Sequence, residues 1–306
     1  MHRRKLLIVV LAALVVIGVL SPAQAGPTGS NERIAFTWNH EEPQSGVGNT
    51  DLGIVGADGT NPRNLTYSSG DYGMHYTDSD WSPNGRKLVA AFSPDEGPNS
   101  LVILRGDNKE SILTLEGGFL GPPVFSPDGK RIAFLRYTWP RKAPDYTADI
   151  WTVRSNGRHL ERLTRTMASE SDLDWSSRDR IVFARAPRRF GGSKSELFMM
   201  RPNGRRLRRL TKNSVKDVAP AWSPEGRRLL WTRQGVIVKR RLYGTDKKAL
   251  SSGTDPAWSS DGRMIAFTRQ GELWTMTSKG QDEVNLGSIF EDSFVSGPDW
   301  RPLAES

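Results

Sequence analysis

The chain has 306 residues, 36% of them hydrophobic and 25% charged, which is long and apolar enough for a sizeable folded core. It has no cysteine, which excludes a lipoprotein anchor, a disulfide framework, a thiol nucleophile and a thiolate metal site. Its formal net charge of +9 suits anionic partners such as wall polymers or lipid headgroups.

The chain opens with Arg3-Arg4-Lys5, an unbroken apolar run over residues 6–20, and Ser-Pro-Ala-Gln-Ala25. A basic start, a short apolar centre and an Ala23-x-Ala25 ending predict a secretory signal over residues 1–25, cleaved after Ala25. An uncleaved anchor is the alternative, although the run is short for a bilayer span. The arginine pair faintly resembles a twin-arginine signal, but so apolar a centre suits the general export route. Cleavage removes three positive charges and no negative one, leaving +6. Export makes nucleic acid an unexpected partner. Any membrane association is expected to be transient and to run through the signal segment.

From residue 32 onward one unit recurs. An aromatic heads it at Trp81, Phe125, Trp175, Trp222, Trp258 and Trp300, 36 to 50 residues apart, about the length of one four-stranded propeller blade. Five of these anchors precede a turn: Ser82-Pro-Asn-Gly85, Ser126-Pro-Asp-Gly129, Ser176-Ser-Arg-Asp179, Ser223-Pro-Glu-Gly226 and Ser259-Ser-Asp-Gly262. Pro presets φ at the turn's second position and Gly accepts its left-handed exit; only the third turn lacks Gly. A second strand follows, led by Ile34, Leu88, Ile132, Ile181, Leu229 or Ile265. Three successive apolar residues in each copy predict burial of both faces. Third strands run through Leu52, Leu101, Ile150, Leu197, Ile237 and Leu273. Short, polar fourth strands carry Leu65, Leu113, Leu163, Leu210, Leu250 and Leu286, as suits an exposed edge.

The first strand of the N-terminal unit is missing, and residues 297–302 form a first strand with nothing after it. The C-terminal strand is therefore expected to complete the N-terminal blade. The predicted fold is an all-β, six-bladed β-propeller over residues 32–302, a single domain closed across its termini.

Repeated x-Pro-x-Trp-Ser-Pro-Asp-Gly-x-x-Ile-Ala-Phe, then an Ile-Trp strand and an Asn-Gly or Asp-Gly turn, resembles the TolB-type β-propeller repeat. The resemblance covers nearly the whole mature chain. It implies a periplasmic scaffold of the kind found in the Tol–Pal envelope system. Only residues 26–31 separate the expected cleavage site from the first strand, so the small N-terminal domain that precedes the propeller in TolB is not expected. Related propellers also accompany prolyl-oligopeptidase-like enzymes and form some sugar-acid lyases.

In that topology the second-to-third and fourth-to-first connections share one face, and the tight hairpins occupy the other. Long second-to-third connections are expected at residues 39–50, 137–148 and 186–195, and a moderate one at 94–99. Blades five and six have only Gln234-Gly235 and Gln270-Gly271. Fourth-to-first loops add residues 67–77 and 287–297. Tyr72, His75, Tyr76, Tyr137, Trp139, Arg141, Lys142, Tyr146, Arg188, Arg189 and Phe190 on these loops are the expected binding residues. Aromatics and Arg dominate interface hot spots; packing of these aromatics against their own loops is the alternative.

Acidic residues at the starts of first strands (Asp78, Asp80, Asp172, Asp174, Asp217, Asp255, Asp292, Asp299) read first as turn caps. Asp78, Asp172, Asp217 and Asp255 are the weak candidates for a Ca²⁺ site at the channel entrance. No cofactor is expected otherwise. G-x-S-x-G and H-E-x-x-H are absent. His40-Glu41-Glu42 is a poor metal centre with few histidines to support it. The basic stretches 201–209 and 227–248 read as a solvated edge, with an anionic wall polymer as the alternative ligand. The expected function is non-catalytic binding or scaffolding by a monomer of the extracytoplasmic envelope, with a protein or cell-wall glycan as partner. A sugar- or peptide-acting enzyme using the channel mouth is the alternative.

Overall fold

The computed structural model describes residues 32–41, 48–66, 74–106, 108–138, 147–187, 194–287 and 294–303. Among these residues there is no helix, and the strands sort into six blades. Blade one takes Arg33–Glu41, Gly48–Gly56 and Arg63–Asn64 from the N-terminal end and its inner strand, Phe294–Trp300, from the C-terminal end. Ile34 pairs with Trp300 and Trp38 with Val295, so the ring closes as the missing first strand predicts. Blades four, five and six are four-stranded antiparallel sheets in chain order. Blades two and three differ only in their inner strands. There Met74–Tyr76 with Asp80–Trp81, and Phe119–Leu120 with Val124–Phe125, are split pieces pairing with one second strand. A single parallel pairing of Thr50 with His75 links blades one and two.

The remaining inner strands bulge three residues before the anchor. Asp172, Ala219, Asp255 and Gly297 sit there at φ between 47° and 54°, beside or within register breaks against the second strand in blades four to six. Bulges of this kind bend the strand and re-aim its side chains, here at the channel wall. At the first-to-second turns the expected hydrogen bonds form: Gly129 donates to the Ser126 carbonyl at 2.8 Å and Gly226 to that of Ser223 at 2.7 Å. The turn without glycine keeps the same geometry, because Asp179 takes φ 55° and donates to Ser176 at 3.0 Å. Asp tolerates the left-handed region better than most residues.

The core lies between blades rather than within them. Ile34 and Phe36 pack toward blade six with Ala266 and Leu273, while Ala35 packs toward blade two with Leu88 and Ala90. The same alternation makes an apolar cluster at every one of the six junctions. Phe36, Phe134, Phe183 and Phe267 are wholly buried, and Gly53 is required opposite Phe36, since a Cβ there would lie 2.5 Å from the ring. Five of the six anchors are buried; Trp81 is half-buried, with the Arg301 guanidinium 5.4 Å from its ring centre.

Several expected loop boundaries are corrected, among them that of residues 287–297, whose last four residues belong to the strand Phe294–Trp300. Arg33–Glu41 and Gly48–Gly56 stay paired out to Glu41 and Gly48, and Arg131–Thr138 and Thr147–Arg154 out to Thr138 and Thr147. Met74–Tyr76 is strand where a continuous loop to residue 77 was expected. The fourth strands are brief in blades one, three and four, but that of blade two runs eight residues, Asn108–Leu115.

Trp222 is 6% exposed in the cluster joining blades four and five. Trp222→Ala is expected to cost about 3–5 kcal/mol in equilibrium denaturation; a loss under about 1 kcal/mol would contradict the inter-blade core.

Candidate functional site

The six inner strands line a central channel of about 230 Å³, whose wall includes Asp78, Asp80, Asp172, Asp174, Asp255 and Asp299. A wider chamber of about 790 Å³ opens at the turn end, walled by the anchors and the Ser-Pro turns. The carboxylates fall in two positions, one residue and three residues before an anchor.

Those directly before an anchor clamp the next blade. Asp299 of blade one accepts the Trp81 N–H at 2.8 Å, Asp80 of blade two that of Phe125 at 2.7 Å, and Asp174 of blade four that of Trp222 at 2.5 Å. A carboxyl oxygen can accept a backbone N–H whether the group is ionised or protonated. Blades three, five and six have Val124, Ala221 and Ala257 at this position. The carboxylates two residues earlier also bridge strands. Asp78 accepts the Ser296 hydroxyl at 3.1 Å, and Asp172 accepts the Ala219 N–H at 3.3 Å. Asp255 accepts the Thr268 hydroxyl within its own blade at 3.0 Å. Gly297 is glycine because a Cβ there would lie 2.0 Å from the Asp78 side chain.

These carboxylates line the channel and are half-buried. Burial raises Asp78 to about 6, with the charges of Asp255 and Asp172 adding and bonds from Thr37 and Ser296 opposing. Burial raises Asp174 to about 6 against the N–H groups of Trp222 and Trp175. Asp299 rises to about 7, through burial and then the Asp174 charge, and its neighbour Asp80 rises well above the usual range through burial and the Asp299 charge. Asp172 is raised by burial as well.

Asp217 is a correction. It lies outside the channel wall, closed within blade five by Arg233 Nε at 2.7 Å, Arg233 Nη2 at 2.9 Å, Asn213 at 2.7 Å and the Trp231 indole at 3.1 Å. Burial acts to raise it, but the bonds from Arg233, Asn213 and Thr211 prevail and hold it below the ordinary carboxylate value. Among the described residues no group of three or more His, Cys, Asp or Glu is placed to hold a metal ion.

Three expected binding residues are described. His75 is half-exposed, its Nε2 3.3 Å from Asp95. Tyr76 is core rather than loop: it is 4% exposed, packs on Phe92 at 5.0 Å between centroids, and accepts a hydrogen bond from Lys109 Nζ at 2.8 Å. Tyr137 is a half-buried strand residue against Gly121, where a Cβ would meet its ring at 2.8 Å. Tyr72, Trp139, Arg141, Lys142, Tyr146, Arg188, Arg189, Phe190 and Asp292 lie outside the described residues.

One polar network escaped the sequence reading. An acid on a third strand binds a threonine fifteen residues on: Asp51 with Thr66 at 2.7 Å, Asp149 with Thr164 at 3.3 Å, Glu196 with Thr211 at 2.6 Å. Each threonine oxygen also accepts a third-strand N–H, as from Ile150 at 2.8 Å. Arg162 and Arg209 add ion pairs to Asp149 and Glu196 at 2.5 and 2.7 Å. The signal was present as Asn-Leu-Thr66, Arg-Leu-Thr164 and Arg-Leu-Thr211, read only for its leucines.

The TolB beta propeller domain family matches residues 28–304. TolB from Acinetobacter baumannii has the same fold at a TM-score of 0.70 and 20% identity, covering 88% of this chain and 66% of that one, so this chain spans just under two thirds of that protein. The putative TolB from Agrobacterium tumefaciens gives 0.61 at 16% identity, covering 89% of this chain and 99% of that one. Hydrazine synthase of Kuenenia stuttgartiensis gives 0.71 at 11%, covering 90% of this chain and 47% of that one. At such identities the likeness is one of fold. No curated protein sequence matches the chain.

With their values raised on folding, Asp78 and Asp174 stay protonated in the native state from about pH 4 to about 6, and Asp299 to about 7, where the unfolded chain has released those protons. Their contribution to stability therefore falls as pH rises through that window. At fixed ionic strength Tm is expected to be higher at pH 5 than at pH 8, by roughly 3 °C or more. Glu170, raised to about 7 by burial despite Arg185, acts in the same direction. Asp174→Asn is expected to flatten the dependence in a thermal scan, and an unchanged slope would contradict the assignment.

Proposed function

The chain belongs to the TolB beta propeller domain family, and from that premise we propose that it is an exported, non-catalytic propeller that holds a protein or glycan of the cell envelope on its loop face. A TolB-type propeller is, in general terms, a binding or scaffold platform. The observation that carries the finer reading is the uneven build of one face. On blades five and six the second and third strands join through two-residue turns, with Gln234 and Gln270 at φ 49° and 54° and glycine following. On blades one, three and four the equivalent strands part at Glu41, Thr138 and Ala186 and resume at Gly48, Thr147 and Glu196.

Extra chain is thus concentrated on one sector around the channel mouth, mounted on strands that cannot shift without opening an inter-blade core. Residues 139–146 bring Trp139, Arg141, Lys142 and Tyr146, the side-chain types that anchor interfaces. Rigid strands beneath such residues lower the ordering cost of binding. The channel carboxylates support a non-catalytic reading, since each is engaged in holding a strand. The basic start, apolar run and Ala23-x-Ala25 ending support export to the envelope.

Affinity capture from an envelope extract tests the reading, comparing wild type with a variant whose residues 139–146 are replaced by a Gly/Ser linker. Tyr137 and Thr138 are kept because they belong to the blade. The variant is expected to lose the principal partner while keeping the wild-type Tm; recovery of the same partners by both proteins would remove this loop from the site.

A further inference from the structure

The face opposite the loops carries a second, unassigned surface. The third-to-fourth turns of blades three, four and five each project a large apolar side chain into solvent: Leu160 is 38% exposed, Leu207 48% and Tyr243 65%. Leu160 and Leu207 hold the same place, immediately before the short fourth strands Glu161–Arg162 and Arg208–Arg209. Tyr243 joins them across the blade junction, with the Arg208 guanidinium 5.2 Å from its ring centre.

Around Leu207 and Tyr243 the charge is mostly positive, whereas Glu161 stands exposed beside Leu160. Residues 201–209 contain five arginines and no acid. Among the described residues only Arg209 of these reaches a carboxylate, while Arg201, Arg205, Arg206 and Arg208 are exposed. Beside Tyr243 lies a cleft of about 660 Å³ lined by Arg178, Arg180, Arg227, Arg228 and Arg241. Glu225 pairs with Arg228 at 2.5 Å, Asp246 lies 3.5 Å from Arg241, and the Glu225 carbonyl holds Arg178 at 2.8 Å. Arg180 and Arg227 have no carboxylate within ion-pair distance among the described residues.

We propose that this turn face of blades three to five docks on an anionic phospholipid bilayer. The arginines match phosphate-bearing headgroups, whose negative surface potential attracts clustered basic residues. The apolar tips discriminate between anionic partners. A soluble polyphosphate would use the arginines but leave two leucines and a tyrosine in water. At a bilayer they enter the headgroup boundary, where tyrosine keeps an apolar body buried and a polar end wet. This contact is separate from the signal segment and does not rest on the loop-face reading.

The test is sedimentation of the chain beginning at Gly26 with vesicles of pure phosphatidylcholine, and of phosphatidylcholine and phosphatidylglycerol at about seven to three. Two variants accompany it, Leu160→Ser/Leu207→Ser/Tyr243→Ser and Arg205→Gln/Arg206→Gln/Arg208→Gln. Their sites are exposed, and an unchanged Tm verifies the fold. Binding at least about tenfold stronger to the phosphatidylglycerol vesicles is expected, weakening as salt is raised. Both variants are expected to lose at least about fivefold on those vesicles. Equal binding to both vesicle types, no binding to either, or full binding by the serine variant would overturn the proposal. The last result, with soluble polyphosphate bound by wild type and lost by the glutamine variant, would assign the surface to a phosphate polymer.

Discussion

Every second strand in this protein is apolar on both faces, and no blade can bury both faces alone. Ile34 and Phe36 need blade six while Ala35, between them, needs blade two. This constraint explains the ring, because a strand that must be covered on both sides can be satisfied at every position only by a closed cycle. It also explains the closure. Were Phe294–Trp300 not paired to Arg33–Glu41, blade one would lack its inner strand and the cluster containing Val295 and Trp300 would be half exposed. Burial of large side chains at six junctions supplies the bulk of the stabilisation.

Apolar contact alone leaves the blades free to slide, and the channel aspartates remove that freedom. Asp80, Asp174 and Asp299 tie three of the six junctions through a backbone N–H, at the cost of holding carboxylates where burial disfavours their charge. The outer rim has its own lock. The glycines of the third-to-fourth turns nest on the preceding blade, so that a Cβ on Gly157 would lie 1.9 Å from the Ile112 carbonyl, and one on Gly204 3.0 Å from that of Leu163. Inner clamp, middle core and outer turn together make a stiff disk, which is what a platform for loops requires.

Much of this was legible in the chain, because repetition averages out the ambiguity of any one copy. Six anchors, six apolar triplets and one stranded C-terminal segment led to blade number and closure. Even the glycine-free turn at Asp179 kept its expected shape. The misreadings share a cause. Residues 39–41 and 137–138 look polar or aromatic, as loops do, yet a hairpin can extend through any side chains so long as backbone groups pair. Tyr76 looked like a recognition residue because its aromatic ring is equally at home in a core. Asp217 resembled its neighbours in sequence, but it sits five residues before its anchor rather than one or three, within reach of Arg233 instead of the channel. The arginines of the turn face are exposed, as a solvated edge predicts, but the sequence does not reveal that Leu207 and Tyr243 emerge beside them.

Recognition by the loops of one sector and membrane contact by the arginine-rich turns of the other face are the two roles proposed. Both depend on the disk being one cooperative body closed by its C-terminal strand. Native-state hydrogen exchange tests that claim most directly. The paired amides of Arg33–Glu41 and Phe294–Trp300 are predicted to exchange only through global unfolding, with the same free energy as the second strand of blade four, Arg180–Ala186. If blade-one amides instead exchange through a separate opening of markedly lower free energy, the closing strand is an appendage and the central claim is wrong.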